Sequence, residues 1–161
     1  MIINDSRNAP TTVWPRGLLI CVLLAVLAAC GKPPTAPEEA LRNWVASGVE
    51  AVEAKERRRL VGMISPAYAD ARGNDRTAIE YTLRAYFKRM NNVQLITSIE
   101  DIRVIGDSAA EVVVKVGMAG TRGGVLGFSA DAYRFAFELE RDGDDWLLIA
   151  ARWGELGKEL R

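Results

Sequence analysis

The chain changes its pattern of apolar and polar residues twice. Residues 17–29 form an unbroken apolar run. From Leu41 to about residue 90, apolar residues recur every three or four positions, which is the spacing of amphipathic helices. From Val93 onward they recur at every second position, which is the spacing of half-buried strands. Helices followed by strands predict an α+β domain whose N-terminal helices pack on one face of a four-stranded antiparallel sheet.

Residues that start and end helices divide the first half of this domain. A first helix is predicted over 38–58, where Glu53 and Arg57 lie one turn apart and form a supportive pair. A shorter helical piece over 59–64 ends before Pro66, because proline disfavours helical geometry in the preceding residue.

A third helix is predicted over 75–91. Asn74 or Asp75 would cap its start, since both side chains accept hydrogen bonds from free backbone amides. The pair Asn91-Asn92 would close it, because asparagine tolerates the left-handed position after a helix.

The second half predicts strands joined by short turns. The Gly-rich stretch 121–127 is a turn, and Asp142-Gly143 is typical of a hairpin between alternating strands. The predicted strands cover residues 93–105, 110–119, 128–140 and 146–153.

Composition narrows the chemistry that the domain can perform. The chain has 21 basic and 21 acidic residues, no histidine, and two cysteines, Cys21 and Cys30. A balanced charge offers no basic surface, so no nucleic-acid partner is expected. The missing histidine excludes Ser-His-Asp and Cys-His nucleophiles and removes the commonest zinc ligand. No metal and no cofactor are therefore expected.

The apolar run ends in a short motif. Its 13 residues are too few for a membrane-spanning helix, which needs about 20, and they fit the apolar core of a signal peptide. The order Leu-Ala-Ala-Cys-Gly over 27–31 resembles the lipobox of bacterial lipoproteins. The resemblance implies cleavage between Ala29 and Cys30, diacylglycerol on the Cys30 sulfur, and a further acyl chain such as palmitate on its amino group.

The motif defines the expected organisation of the chain. A Pro-rich tether of about 20 Å would link the lipid to the domain, at about 3.1 Å per residue. The absence of Asp after Cys30 resembles outer-membrane lipoproteins, so the domain is expected to face the periplasm. A non-lipidated signal peptide cut after Ala29 and an uncleaved anchor stay open as alternatives. The expected segments are a signal peptide 1–29, lipidated Cys30 with its tether 30–37, a domain 38–155, and a polar tail 156–161 that frays.

The order of elements in the domain resembles a known superfamily. A long first helix, a Tyr-Ala-Asp-Ala-Arg-Gly corner over 68–73, a helix over 75–91 and a meander ending at 146–153 are similar to the nuclear-transport-factor-2-like, or cystatin-like, α+β cone. The resemblance implies a pocket between the concave sheet and the helices. The superfamily contains both enzymes and non-catalytic modules, so the fold does not decide the function.

Enzymes of this superfamily use pocket carboxylates and tyrosines, which makes a few residues candidates. Asp70 could act as a base, with Tyr68 or Tyr86 as a hydrogen-bond donor to an oxyanion. Asp101 and Tyr133 are further possible members. For three of them we prefer a structural role: Asp70 would bind Arg72 or backbone amides, and Tyr68 and Tyr86 would pack in the core.

Other polar and aromatic positions are read from strand alternation. Glu100 and Asp101 are adjacent, so they should point to opposite faces of the sheet. Trp146 and Trp153 have opposite parity, so only one should face the core. Three arginines, Arg122, Arg134 and Arg152, could meet on one face and bind an anion, although Arg134 could instead pair with Glu138.

These patterns favour a lipid-anchored envelope protein with a non-catalytic binding or interaction module. Its expected partners are the membrane, through acyl chains on Cys30, and a small apolar ligand or an envelope protein. A homodimer through the sheet face is also considered. The alternative is a cofactor-independent isomerase or hydrolase that uses Asp70 with Tyr68 or Tyr86.

Overall fold

A computed structural model describes residues 36–122 and 131–160. The predictions for the signal peptide, for cleavage after Ala29 and for lipidation of Cys30 lie outside these residues, as does most of the turn at 121–127. No helix within the described part is long and apolar enough to cross a membrane. The elements are α1 Ala36–Glu53, α2 Arg57–Gly62, α3 Arg76–Arg89, β1 Met90–Ile105, β2 Ala109–Arg122, β3 Asp131–Asp142 and β4 Asp145–Glu155.

The strands form one antiparallel meander in the order β1-β2-β3-β4, which confirms the predicted α+β fold. The main core lies between α1 and the inner face of the sheet. Leu41 of α1 is fully buried against Val112 and Val114 of β2 and Leu139 of β3. Each such side chain stabilises the fold by about 1.5–3 kcal/mol through removal of apolar surface from water.

The first helix is shorter than predicted because the chain bends sharply after it. Lys55 has a left-handed backbone, with φ of 56°, and its ammonium group donates to the carbonyls of Met90 and Asn91 at 2.9 Å each. The predicted pair of Glu53 with Arg57 does not form. The Glu53 carboxylate instead accepts the Leu95 amide of β1 at 2.8 Å. The end of α1 is therefore set by contacts with β1, which local sequence spacing does not contain.

The third helix begins as predicted and ends two residues early. Asp75 caps it by accepting the Ala78 amide at 2.7 Å. Met90 already has extended geometry, and Asn92 pairs with Thr121 of β2. The prediction that Asn91-Asn92 closes the helix in a left-handed position is wrong, because both residues belong to β1, where Asn92 pairs with β2 and Asn91 is the extra residue of a bulge.

A bulge in β4 changes which residues face the helices. Leu139 pairs with Leu148 and Glu138 pairs with Ala150, so Ile149 is an extra residue. The extra residue reverses the alternation, and Trp146 and Trp153 both lie on the inner face, opposite to the parity expectation. Trp146 packs in the main core. Trp153 packs with a second cluster formed by Ile64, Tyr68 and Ala151.

The bulge also binds the segment between α2 and α3. The amide of Ser65 donates to the Leu148 carbonyl at 2.9 Å, and the amide of Ala69 donates to the Ile149 carbonyl at 3.0 Å. The Leu148 amide in turn donates to the Met63 carbonyl at 2.9 Å. Residues 63–69 thus run along the outer edge of β4 and hold the following corner against the sheet.

Candidate functional site

The inner face of the sheet carries a row of aromatic side chains that the helices cover only in part. Phe135 lies at its centre, with ring centroids 5.4 Å from Phe137, 6.3 Å from Tyr133 and 6.4 Å from Trp153. Phe137 also meets Trp44 of α1 edge to face at 5.6 Å. All five rings are half-buried. They form a continuous aromatic surface in which each ring packs against at least one neighbour.

One end of this aromatic row opens into a cavity of about 510 Å³. Tyr133 and Trp153 line one side of it. The guanidinium carbon of Arg72 lies 4.1 Å from the Trp153 ring centroid, and Arg72 also donates to the Trp153 carbonyl at 3.0 Å. The remaining lining residues are Gly154, Glu155, Lys158 and Glu159, from the end of β4 and the segment after it. This volume is within the range of small-molecule sites.

The candidate base Asp70 belongs to a tight corner, which we define as residues 68–75. One carboxylate oxygen accepts the amides of Arg72 and Asn74, both at 2.9 Å. The other accepts the Asn74 side chain at 2.9 Å and the Tyr68 hydroxyl at 3.2 Å. Gly73, with φ of +79°, makes the turn possible because it lacks a side chain. Asp70 therefore holds the corner together with four hydrogen bonds.

These contacts set the protonation of both candidate residues. Burial alone would raise the pKa of Asp70, but hydrogen bonds from Asn74, the Arg72 amide and Tyr68 outweigh it and lower that pKa. Burial, together with the nearby charge of Asp70, raises the pKa of the Tyr68 hydroxyl well above its usual range. A general base at neutral pH needs a raised carboxyl pKa and a free oxygen. Asp70 has neither, and it does not line the cavity.

The other candidate residues are dispersed. Tyr86 is half-buried on α3, with its ring 6.0 Å from that of Phe87, and it does not line the cavity. Asp101 is exposed on β1 beside Arg103 at 3.6 Å. Tyr133 alone among the named candidates lines the cavity. The structure thus brings Tyr68 to Asp70, whereas Asp101 lies on the exposed side of β1.

The outer face of the sheet carries charges that neutralise one another. Glu100 binds Lys115 at 2.8 Å and Arg134 at 2.6 Å, and hydrogen bonds from Lys115 and Arg134 lower its pKa. The predicted pair of Arg134 with Glu138 is not formed. Glu138 lies 3.6 Å from Arg152 instead.

Two further expectations for this face change. Glu100 is the extra residue of a β1 bulge, so Glu100 and Asp101 both lie on the outer face rather than on opposite faces. Arg152 also lies 3.8 Å from Glu111, so Arg134 and Arg152 are both neutralised by acids and offer no anion site. The side chain of Arg122 is outside the described residues.

Metal-binding clusters and further cavities are the other kinds of site that the described residues could form. Within residues 36–122 and 131–160, no three acidic, cysteine or histidine side chains are grouped so as to hold a metal ion. A second cavity of about 370 Å³ lies between α1, α2 and the β3–β4 turn. Trp44 lines it, and the buried indole N–H of Trp44 has no hydrogen-bond partner in the described structure.

Sequence reasoning missed most of the cavity wall. Among the lining residues, the sequence indicates Tyr133 as a candidate and Arg72 only as a possible partner of Asp70. The sequence predicts a polar tail after β4, and backbone hydrogen bonds attach this segment to the sheet, with the Leu156 amide on the Ala132 carbonyl at 3.0 Å. The only sequence signal for this turn was Gly157, which takes a φ of +84°.

Comparison with known proteins identifies the fold. The sequence matches no family model, and no curated protein matches it significantly. Solved structures do match. A proposed scytalone dehydratase from Novosphingobium aromaticivorans is 11% identical, with a TM-score of 0.67 over 76% of this chain and 85% of that chain.

Two further structures carry the fold names. A proposed dehydratase of the nuclear-transport-factor-2-like family from Streptomyces avermitilis is 14% identical, with a TM-score of 0.64 over 74% of this chain and 96% of that chain. A domain with a cystatin-like fold from Nostoc punctiforme is 14% identical, with a TM-score of 0.59 over 74% of this chain and 76% of that chain. The described domain therefore has the nuclear-transport-factor-2-like, cystatin-like cone fold. Identities this low establish the fold alone.

Proposed function

We propose that this chain is a lipid-anchored cell-envelope protein whose nuclear-transport-factor-2-like domain is a non-catalytic binding module for a small apolar ligand. The observation that carries the binding role is the open cavity at the end of the aromatic row, where Tyr133 and Trp153 offer ring surface to a ligand. Four of the other lining residues are charged, two of each sign, so the aromatic side of the cavity is the part that suits an apolar molecule. Asp70, the candidate base, is bound within its own corner and does not line the cavity.

The anchoring half of the proposal is supported by the apolar run 17–29 and the Leu-Ala-Ala-Cys-Gly order that ends it. Several acyl chains give durable attachment, since each buried methylene contributes about 0.8 kcal/mol. The domain would then work within about 20 Å of the membrane, on the periplasmic side of the outer membrane.

The anchor is tested by intact mass of the detergent-extracted protein. The expected product begins at Cys30 and carries diacylglycerol and one further acyl chain. Cys30→Ser should abolish the lipid mass and leave the thermal unfolding of the domain unchanged. A protein of full-length mass in the membrane fraction would rule out the lipoprotein proposal.

The binding role is tested with N-phenyl-1-naphthylamine, an uncharged dye whose fluorescence rises in apolar sites. Saturable binding by the wild-type domain is expected. Tyr133→Ala should weaken it about tenfold, because loss of one aromatic contact costs on the order of 1.4 kcal/mol. Tyr81→Ala is the matched control, since Tyr81 is 66% exposed on α3 and does not line the cavity. Equal loss in both variants, or no saturable binding at all, would contradict the proposal.

The second candidate is a cofactor-independent isomerase or hydrolase with Asp70 as base and Tyr68 as its neighbour. The neighbouring structures described as dehydratases and the buried contact of Tyr68 with Asp70 favour it. Its requirement is a carboxyl pKa above the ordinary range of aspartate. Titration of the Asp70 side-chain carbon by NMR measures this directly. A lowered pKa supports the binding module, whereas a raised pKa supports the enzyme.

A further inference from the structure

The segment after β4, residues 156–160, forms part of the cavity wall, and we call it the strap. The chain turns back immediately after Glu155. The Leu156 amide donates to the Ala132 carbonyl of β3 at 3.0 Å, and the Lys158 amide donates to the Glu155 carbonyl at 2.9 Å. Lys158 and Glu159 of the strap line the cavity together with Tyr133 and Trp153. The position of the strap therefore contributes to the volume of the cavity.

Gly154 is the point at which the strap approaches β4 most closely. A Cβ atom at Gly154 would lie 2.7 Å from the carbonyl oxygen of Glu159 and 3.7 Å from the Cα of Leu160. Real Cβ atoms essentially never come this close to another atom, and the opposing atom is backbone rather than the end of a flexible side chain. Any larger residue at position 154 must move the strap away.

The remaining attachments of the strap are weak enough for this displacement to occur. Lys158 pairs with Glu155 at 2.5 Å, but both side chains are well exposed, and such surface pairs contribute little. Leu156 is 46% exposed and so buries only part of its side chain. Two backbone hydrogen bonds therefore hold the strap in place, and the missing Cβ at Gly154 leaves room for it.

We infer that the strap limits the size of the ligand that this cavity accepts, and that Gly154 is the specificity-determining residue because it permits the strap to close. The inference rests on the proposed binding function. The cavity of about 510 Å³ with the strap in place suits a compact aromatic molecule. Its lining charges, Arg72 and Lys158 against Glu155 and Glu159, balance, which favours a ligand without net charge.

The experiment compares two uncharged dyes, compact N-phenyl-1-naphthylamine and the larger Nile red, on the same domain. In Gly154→Ala, Nile red affinity should rise about tenfold, while affinity for the compact dye stays within about threefold. Removal of residues 156–161 should reproduce the gain for Nile red without adding any side chain. Gly62→Ala is the matched control, since an added Cβ there meets no atom within 4 Å and Gly62 does not line this cavity.

Amide hydrogen exchange at Leu156 and Lys158 reads the strap without any ligand. Both amides should exchange at least about tenfold faster in Gly154→Ala than in Gly62→Ala, because local opening exposes their hydrogen bonds to water. If the wild type binds the compact dye, unchanged Nile red affinity in Gly154→Ala would overturn the inference, whatever the exchange rates are. If the wild type and both strap variants bind neither dye, the binding function fails instead, and faster exchange would still show that a Cβ at position 154 displaces the strap.

Discussion

The Asp70 corner and the cavity wall beside it differ in how much of their side-chain surface is free to contact a ligand. In the corner, the Asp70 carboxylate accepts four hydrogen bonds and has a lowered pKa, so it stabilises the fold and is not available to a ligand. In the cavity wall, Tyr133 and Trp153 are half-buried and leave ring surface open. The difference teaches that a reactive residue type does not mark a site by itself. A binding site needs side-chain surface or polar atoms that are not already in contact with other groups of the same protein.

The largest effect on stability is expected for Asp70→Ala, which tests whether Asp70 holds the corner together. Loss of the carboxylate leaves four donors without their acceptor in a corner where Asp70 is only 9% exposed. The free energy of unfolding should fall by about 3 kcal/mol. Urea denaturation followed by circular dichroism measures it, with dye binding assayed under native conditions. A loss below about 1 kcal/mol would show that the corner does not depend on Asp70.

A smaller effect is expected from acidification. Because the pKa of Asp70 is lower in the folded state, its contribution is complete above the unfolded-state pKa of about 3.9 and is lost as pH falls through the folded value. Stability should therefore decrease between about pH 5 and pH 2, and less steeply in Asp70→Asn. Equal slopes for the two proteins in urea denaturation at each pH would assign the acid sensitivity to other carboxylates such as Glu100.

The helix cap next to the corner should matter less than the corner itself. Asp75 is exposed and accepts one amide, from Ala78 at 2.7 Å. Asp75→Ala should cost about 1 kcal/mol of unfolding free energy, the usual value for loss of such a cap. Thermal unfolding of Asp75→Ser, which keeps an acceptor, provides the control. A cost as large as that of Asp70→Ala would mean that the start of α3, rather than Asp70, organises the corner.

The smallest effect on stability is expected on the cavity side. Tyr133 is half-buried and has one close ring neighbour in the row, Phe135. Tyr133→Ala should lower the free energy of unfolding by less than about 1 kcal/mol, although it removes much of the dye affinity. A large loss of stability in the same urea titration would show that Tyr133 is needed for the fold, as Asp70 is, and that the corner and the cavity wall do not differ in this respect.

The sequence predicted the helices, the four-stranded meander and its inner face because these depend on local periodicity. Val112, Val114 and Leu139 are buried where alternation places them. Periodicity within one strand does not show where a bulge will add an extra residue, because a bulge is defined by pairing with the neighbouring strand. The bulges at Glu100 and Ile149 therefore reversed the predicted faces of two positions.

The candidate site was less predictable than the fold for a related reason. Tyr68 and Asp70 were found because their residue types are chemically distinctive, but only their contacts show that they are committed to the corner. Gly154 and the strap have no distinctive pattern in the sequence. Their importance depends on an approach between two backbone segments, and that approach exists only after the sheet has formed.

The backbone pairing of residues 63–69 with β4 limits the ability of a second chain to pair with this edge of the sheet. An open strand edge is a template on which further chains assemble into extended sheets. Here the carbonyls of Leu148 and Ile149 and the amide of Leu148 are already occupied by the same chain. A second chain therefore finds no free hydrogen-bonding groups at these positions and cannot extend the sheet there.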